Sequence, residues 1–98
     1  MRKITREAVE AFVDRQTFYK SNTETDGRYL RLHGNTIAYW GNGDDLWVST
    51  AGWNTVTTRE RLNGLPGVSV WVRRGQLYLN GEKWDGGWKL IPDPRKLL

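Results

Sequence analysis

The residues able to carry out catalytic chemistry are few in this chain and lie far apart. There is one histidine, His33, and no cysteine, so an ordinary zinc site is excluded. Asp26, Asp44 and Asp45 stand in turn-forming segments, but a calcium loop needs more oxygen ligands at defined spacing. No serine stands in a nucleophile motif. The pattern predicts a protein that is not an enzyme and holds no metal.

A phosphate-binding glycine loop is also unsupported. Gly41 and Gly43 are followed by Asp44 and Asp45 rather than by a lysine or a helix start. Carboxylates at that place repel a phosphate group. We therefore predict no cofactor.

Aromatic and basic side chains form a more informative pattern. Side chains of a strand alternate between its two faces, and here one face is aliphatic while the other is rich in rings and cations. Cross-strand neighbours on one face lie about 5 Å apart, so we expect one continuous surface. Its predicted members are Arg31, His33, Trp47, Trp71, Arg73 and Tyr78.

Two kinds of partner suit such a surface. Single-stranded nucleic acid stacks its bases on aromatic rings and pairs its phosphates with cations. Trp, Tyr and Arg are also enriched at hot spots of protein interfaces, so a host protein or a second copy is the alternative partner. A structural interpretation stays open as well, in which Trp53, Trp84 and Trp88 fold over the face and build a second small core.

Composition sets the outer limits. A chain of 98 residues fits one domain, and a net charge of +4 with a pI of about 9.7 favours an anionic partner. No apolar run approaches the roughly 20 residues that cross a bilayer, and the N-terminus lacks a secretory signal. The expectation is a soluble cytoplasmic protein with no membrane contact.

A short central helix is predicted within Thr55–Gly67, because an Asn-Gly pair and a proline end the helical pattern there. Thr57 and Glu60 have the spacing of a capping box at its start. Arg59 and Arg61 are expected to project from its flanks. In the nucleic-acid hypothesis these two arginines help to bind phosphates.

An amphipathic N-terminal helix is predicted from Thr5 to Gln16, with Thr5 as its N-cap. Its apolar stripe must dock on a sheet. Residues Ser21–Gly27 are polar and predict a surface loop.

Strands follow in two groups. Before the central helix, alternation predicts Arg28–His33, Thr36–Trp40 and Leu46–Thr50, with a hairpin turn at Gly34-Asn35. After it we predict three or four more strands, with turns at Arg74-Gly75 and Asn80-Gly81.

The fold class that results is α+β: an N-terminal amphipathic helix, an antiparallel β-meander, a short central helix and a second antiparallel β segment. Residues 1–94 are expected to form a single domain, and 95–98 a flexible tail. One core is predicted from the stripe of the first helix and from the aliphatic face of the sheet, namely Leu30, Leu32, Ile37, Leu46, Val48, Val68, Val70, Val72, Leu77 and Leu79. Leu62 and Leu65 of the central helix are expected to face inward as well.

Three motifs resemble a family of small proteins encoded by tailed bacteriophages. They read Leu-His-Gly-Asn-x-Ile-Ala from Leu32, Gly-Trp-x-Thr-x-Thr-Thr-Arg-x-Arg-Leu-Asn from Gly52, and Leu-Asn-Gly-x-x-Trp-x-Gly-x-Trp from Leu79. Together with the N-terminal segment they cover nearly the whole chain. The resemblance implies an accessory phage protein that works in the bacterial cytoplasm, and it brings no activity or site residue with it.

Overall fold

The structure, a computed structural model, describes residues 1–92 and has the α+β class expected from the sequence. Asp93 to Leu98, and with them the predicted tail 95–98, lie outside the described residues. The elements in chain order are α1 Lys3–Val13, β1 Phe18–Lys20, β2 Thr23–Thr25, β3 Tyr29–Leu32, β4 Asn35–Trp40, β5 Leu46–Val48, α2 Val56–Leu62, β6 Val70–Arg73, β7 Gln76–Leu79, β8 Glu82–Lys83 and β9 Lys89–Ile91.

Two antiparallel sheets organise the described chain. The large sheet has the strand order β1-β2-β3-β4-β5-β9, and the small sheet has the order β6-β7-β8. The last strand therefore returns to the large sheet, where Leu46 pairs with Ile91 and Val48 pairs with Lys89. The second antiparallel segment predicted after the central helix is confirmed by the small sheet, but the sequence did not reveal that β9 pairs with the large sheet, because short-range patterns do not report such a return.

The segment before β3 differs from its prediction. Residues Ser21–Gly27 were expected to be a loop, but they contain β2, which pairs with β1 and β3. Thr23 and Thr25 are buried while Glu24 is not, so the strand alternates as a half-buried strand should. Threonine is polar enough to suggest a loop, yet it is also a good strand former.

Helix α1 begins at Lys3, and Arg2 occupies its N-cap position without a side-chain bond. The prediction that Thr5 caps the helix is wrong, because Thr5 is fully buried and its hydroxyl bonds to α2. The predicted apolar stripe docks on the sheet as expected, with Ala8, Val9 and Phe12 buried. The helix ends at Val13 rather than at Gln16.

Helix α2 is capped two residues earlier than predicted. The Thr58 N–H donates to the Thr55 hydroxyl at 3.1 Å, so Thr55 is the N-cap, and the predicted box of Thr57 and Glu60 is not formed. After the helix, the side-chain amide of Asn63 accepts from the Val70 N–H at 2.6 Å and donates to the Val70 carbonyl at 2.9 Å. This amide fixes the helix end to the outer edge of the small sheet.

A single core joins both helices and both sheets. Every aliphatic residue predicted for the inward face is buried except Val72, which is 39% exposed because β6 is an edge strand. Trp40 and Trp84 are buried in the same core. The stack of Phe12 on Trp40, with ring centroids 5.0 Å apart, fastens the end of α1 to β4.

Candidate functional site

The aromatic and basic residues predicted to share one surface lie on two sheets. Arg31 and Trp47 lie on the outer face of the large sheet, the side away from both helices. Trp71, Arg73 and Tyr78 lie on the outer face of the small sheet. The sequence pattern assigned the correct face of each strand, but it did not reveal that the strands belong to separate sheets.

The large-sheet face, as we call the first of these surfaces, consists of Tyr29, Arg31, Tyr39, Trp47 and Trp88. Register places Tyr29 opposite Tyr39, and Tyr39 opposite Trp47. Ring centroids along this row are 5.9 and 6.2 Å apart, and Trp88 meets Tyr39 edge-on at 4.8 Å. Sequence reasoning left Tyr29, Tyr39 and Trp88 out of the site, although the same alternation that selected Trp47 also places Tyr29 and Tyr39 outward.

Two arginines lie at one end of this row. The guanidinium carbons of Arg28 and Arg31 are 5.3 and 5.2 Å from the centre of the Tyr29 ring. Arg31 also pairs with Asp26 at 3.8 Å. Hydrogen bonds from the Tyr29 and Arg28 N–H groups, aided by the Arg31 charge, hold the pKa of Asp26 below its ordinary value. The carboxylate thus keeps Arg31 beside the ring.

The small-sheet face consists of Trp71, Arg73, Tyr78 and Lys83. Trp71 and Tyr78 stack across β6 and β7 with centroids 4.3 Å apart and planes 12° from parallel. Lys83 pairs with Tyr78 in register, and Arg73 is exposed at the end of β6. Rings and cations therefore share this face, as they share the larger one.

A shallow groove lies between the two faces. Lys83 of the small-sheet face and Trp88 of the large-sheet face both line it, together with Gln76, Trp84, Asp85 and Lys89. We call it the bridging groove. It makes the two faces neighbours, and it contains two lysines, Lys83 and Lys89, and one carboxylate, Asp85.

Neither arginine of α2 belongs to these surfaces. The prediction that Arg61 projects from the helix is wrong, because its side chain is only 2% exposed. Its guanidinium donates to the Thr5 hydroxyl at 2.7 Å and the Thr23 hydroxyl at 2.9 Å, and it pairs with Glu60. No phosphate can reach it there.

Arg59 is partly exposed, but its guanidinium is engaged within the chain. It donates to the Asn54 side-chain oxygen at 2.6 Å and to the Asn54 carbonyl at 3.3 Å.

His33 is exposed in the turn between β3 and β4, and its backbone is in the left-handed region with φ 51°. That turn is His33-Gly34 rather than Gly34-Asn35.

The three tryptophans proposed to cover the aromatic surface differ in burial and position. Trp84 is buried in the common core, Trp88 is 47% exposed against Tyr39, and Trp53 is 60% exposed elsewhere. No second core forms over the faces in the described part of the chain.

Within residues 1–92, no group of His, Asp and Glu side chains is placed to hold a metal ion. No helix of that range is long and apolar enough to cross a membrane.

The fold and its surfaces define a class: a small α+β protein in which two antiparallel sheets share one core and present aromatic and basic outer faces. Residues 1–90 match the Kyanoviridae Gp96 protein family, and the chain belongs to that family. The resemblance to a phage protein family is thereby confirmed. No curated protein and no solved structure matches the chain.

Proposed function

We propose that this phage protein binds single-stranded nucleic acid, without catalysis, in the cytoplasm of the bacterial host. The observation that carries the proposal is the row of four rings on the large-sheet face, with Arg28 and Arg31 at its end. Bases stack on such rings whatever their sequence, and arginines beside the rings pair with the phosphates. The net charge of +4 favours the same partner.

The bridging groove extends the path of the strand. A strand that leaves Trp88 meets Lys83 and Lys89 in the groove and then the stacked pair Trp71 and Tyr78. Longer oligonucleotides should therefore bind more tightly than those that cover one face alone.

The experiment is fluorescence anisotropy of a labelled oligonucleotide titrated with protein at several salt concentrations. Trp88→Ala should weaken binding about fivefold to hundredfold, because each stacked base contributes roughly 1–3 kcal/mol. Trp88 is 47% exposed, so the variant should keep its fold. Val56→Ala, at a 73% exposed position on α2, is the control and should bind as the parent does.

Charge is tested by a second matched pair. Arg73→Ala should lower the slope of log affinity against log salt by about 1, because one phosphate contact is lost. Arg6→Ala removes the same charge from the exposed side of α1 and should change the slope far less. An affinity that is insensitive to salt would contradict nucleic-acid binding. Equal losses of affinity in Trp88→Ala and Val56→Ala, or equal changes of the salt slope in Arg73→Ala and Arg6→Ala, would contradict it as well.

A protein partner is the second candidate. Leu90 lies in register with Trp47 on the large-sheet face and is 40% exposed. Aliphatic surface beside rings suits a protein interface better than it suits a nucleic acid. A dimer in sedimentation that Leu90→Ser dissociates, or a host protein that the parent retains and Leu90→Ser does not, would favour this candidate. A strict monomer with no host partner would count against it.

A further inference from the structure

A pocket of about 400 Å³ lies between the β3–β4 hairpin and the start of α2. The buried side chains of Leu32 and Ile37 line it, and Trp53 forms part of its wall. Its size falls within the roughly 300–1,000 Å³ of ligand pockets in proteins. None of its lining residues belongs to the large-sheet face or the small-sheet face.

Trp53 is held at this pocket by a tight turn. The Trp53 N–H donates to the Thr50 carbonyl at 2.9 Å, and both residues between them have positive φ, 55° at Ala51 and 84° at Gly52. The same pair of positive φ values occurs at His33-Gly34, Arg74-Gly75 and Asn80-Gly81, so this is the tight turn that the chain also uses in its hairpins. Trp53, which follows this turn, is 60% exposed and contributes little to the core.

The next residue is fixed as well. Arg59 bonds both oxygens of Asn54, so the segment between Trp53 and α2 is tied to the helix. A site that recognises one ligand geometry needs such support from residues that do not touch the ligand.

The chemistry of the lining selects the ligand. Two of its hydroxyl groups bond to each other, at Thr55 and Thr58, and the Thr50 hydroxyl donates to the Gly86 carbonyl. The polar side chains that remain for a ligand are those of His33, Asn35 and Thr57, although the Asn35 amide also donates to the His33 carbonyl at 3.4 Å. No lysine, arginine, aspartate or glutamate is among the described residues that line the pocket.

This combination fits two common ligand classes poorly. A phosphate has no lysine or arginine in the lining to pair with, and a sugar would place some of its hydroxyl groups against Leu32 and Ile37 without partners. A nucleobase has apolar faces and a polar edge. Its faces suit Trp53 and the aliphatic side chains, while its edge suits the amide and hydroxyl groups of the lining.

We propose that the pocket binds one neutral heterocyclic base, stacked on Trp53 with its polar edge toward His33, Asn35 and Thr57. The base can belong to a free nucleoside or to a bound strand. Binding of a free nucleoside does not depend on the nucleic-acid function proposed for the sheet faces.

The test follows the indole N–H signals of the tryptophans by ¹H–¹⁵N NMR during titration with nucleosides, with an oligonucleotide and with glucose. A base in the pocket should shift the Trp53 signal, and Trp53→Ala should lower the affinity of the perturbing ligand by about fivefold or more. Val13→Ala, at a 40% exposed position on α1 that belongs neither to the pocket nor to the sheet faces, should leave nucleoside binding unchanged. An unmoved Trp40 signal in each variant shows that the core is intact.

The two sources of the base are separated by the arms of the titration. A shift of Trp53 with nucleosides supports the site and shows that a free base is sufficient. A shift with the oligonucleotide alone, lost when the strand is abasic, supports the site and identifies a base of the strand. No shift of Trp53 in either arm, or an equal shift with glucose, overturns it. The proposal for the sheet faces is judged separately, by the response of Trp88 to the oligonucleotide.

Discussion

At the scale of single residues, Arg61 shows how far a charged side chain can depart from its usual place. It lies between α1, α2 and β2, and its bonds to Thr5, Thr23 and Glu60 connect all three elements. A guanidinium has five donors in a fixed fork, so one side chain can satisfy several buried acceptors. Arg61 is therefore a structural residue of the core.

We predict that Arg61→Ala lowers the free energy of unfolding by about 3–5 kcal/mol, because it leaves Glu60 without its counter-charge and two buried hydroxyls without their donor. This is a large share of the roughly 5–15 kcal/mol that stabilises a domain. Urea denaturation followed by circular dichroism measures the loss.

Arg59→Ala is the control for this prediction. It removes the same side chain from the same helix, but from a partly exposed position with Asn54 as its partner. Its cost should stay below about 1 kcal/mol. Equal costs for the two variants would show that the buried network contributes little.

Residue positions were predictable from the sequence where alternation decides them. The outward direction of Trp47, Trp71 and Tyr78 follows from period two, and so does the buried aliphatic set. The burial of Arg61 was not predictable, because it depends on acceptors in Thr5 and Thr23, far away in the chain. Local sequence patterns do not identify hydrogen-bond partners that lie so far away in the chain.

At the scale of elements, the contact between α1 and the end of α2 is unusually close. A Cβ atom added to Gly64 would stand 2.7 Å from Thr5 Cγ2 and 3.1 Å from Val9 Cγ2. Thr5 cannot withdraw, because it is fully buried and holds Arg61 and Glu60. Glycine thus permits the approach of the two helices.

Gly64→Ala should destabilise the protein by about 1–3 kcal/mol through this overlap. Thr5→Ser keeps the hydroxyl and removes the methyl group that the new Cβ would meet. The cost of Gly64→Ala should therefore be smaller in the Thr5→Ser background, and thermal denaturation of the four proteins gives the coupling between the sites. Additive costs would contradict the contact.

Element types followed from the sequence better than element partners did. The amphipathic stripe predicted α1, and Arg74-Gly75 and Asn80-Gly81 predicted two hairpin turns that the structure contains. The start of α2 was misplaced because Thr55, Thr57 and Thr58 offer competing hydroxyl caps, and only tertiary contacts turn Glu60 toward α1. The pairing of β9 with β5 joins strands that are far apart in the chain, and no local sequence pattern predicts it.

At the scale of the whole molecule, both sheets share one core. Buried residues of the small sheet, such as Leu77 and Leu79, belong to the same cluster as Leu30 and Val48 of the large sheet. The small sheet has three short strands and depends on this common interior for its stability. We therefore expect the two sheets to unfold together.

Leu79→Ala tests this expectation. It should lower the urea midpoint reported by Trp40 in the large sheet as much as the midpoint reported by Trp84 beside the small sheet, with a total cost of about 2–5 kcal/mol. The indole N–H signals of the two tryptophans measure the midpoints separately. Loss of the Trp84 signal well before the Trp40 signal would show that the small sheet is an independent unit.

The return of β9 has a consequence during protein synthesis. Its partner β5 is made about forty residues earlier, and such distant pairings form late in folding. While the nascent chain waits for β9, the apolar strand Leu46–Val48 has an open edge that other chains can join. Asp44 and Asp45 stand directly before that strand, and charges at this place discourage aggregation. We therefore expect the acidic pair to limit aggregation of this strand until β9 has been made.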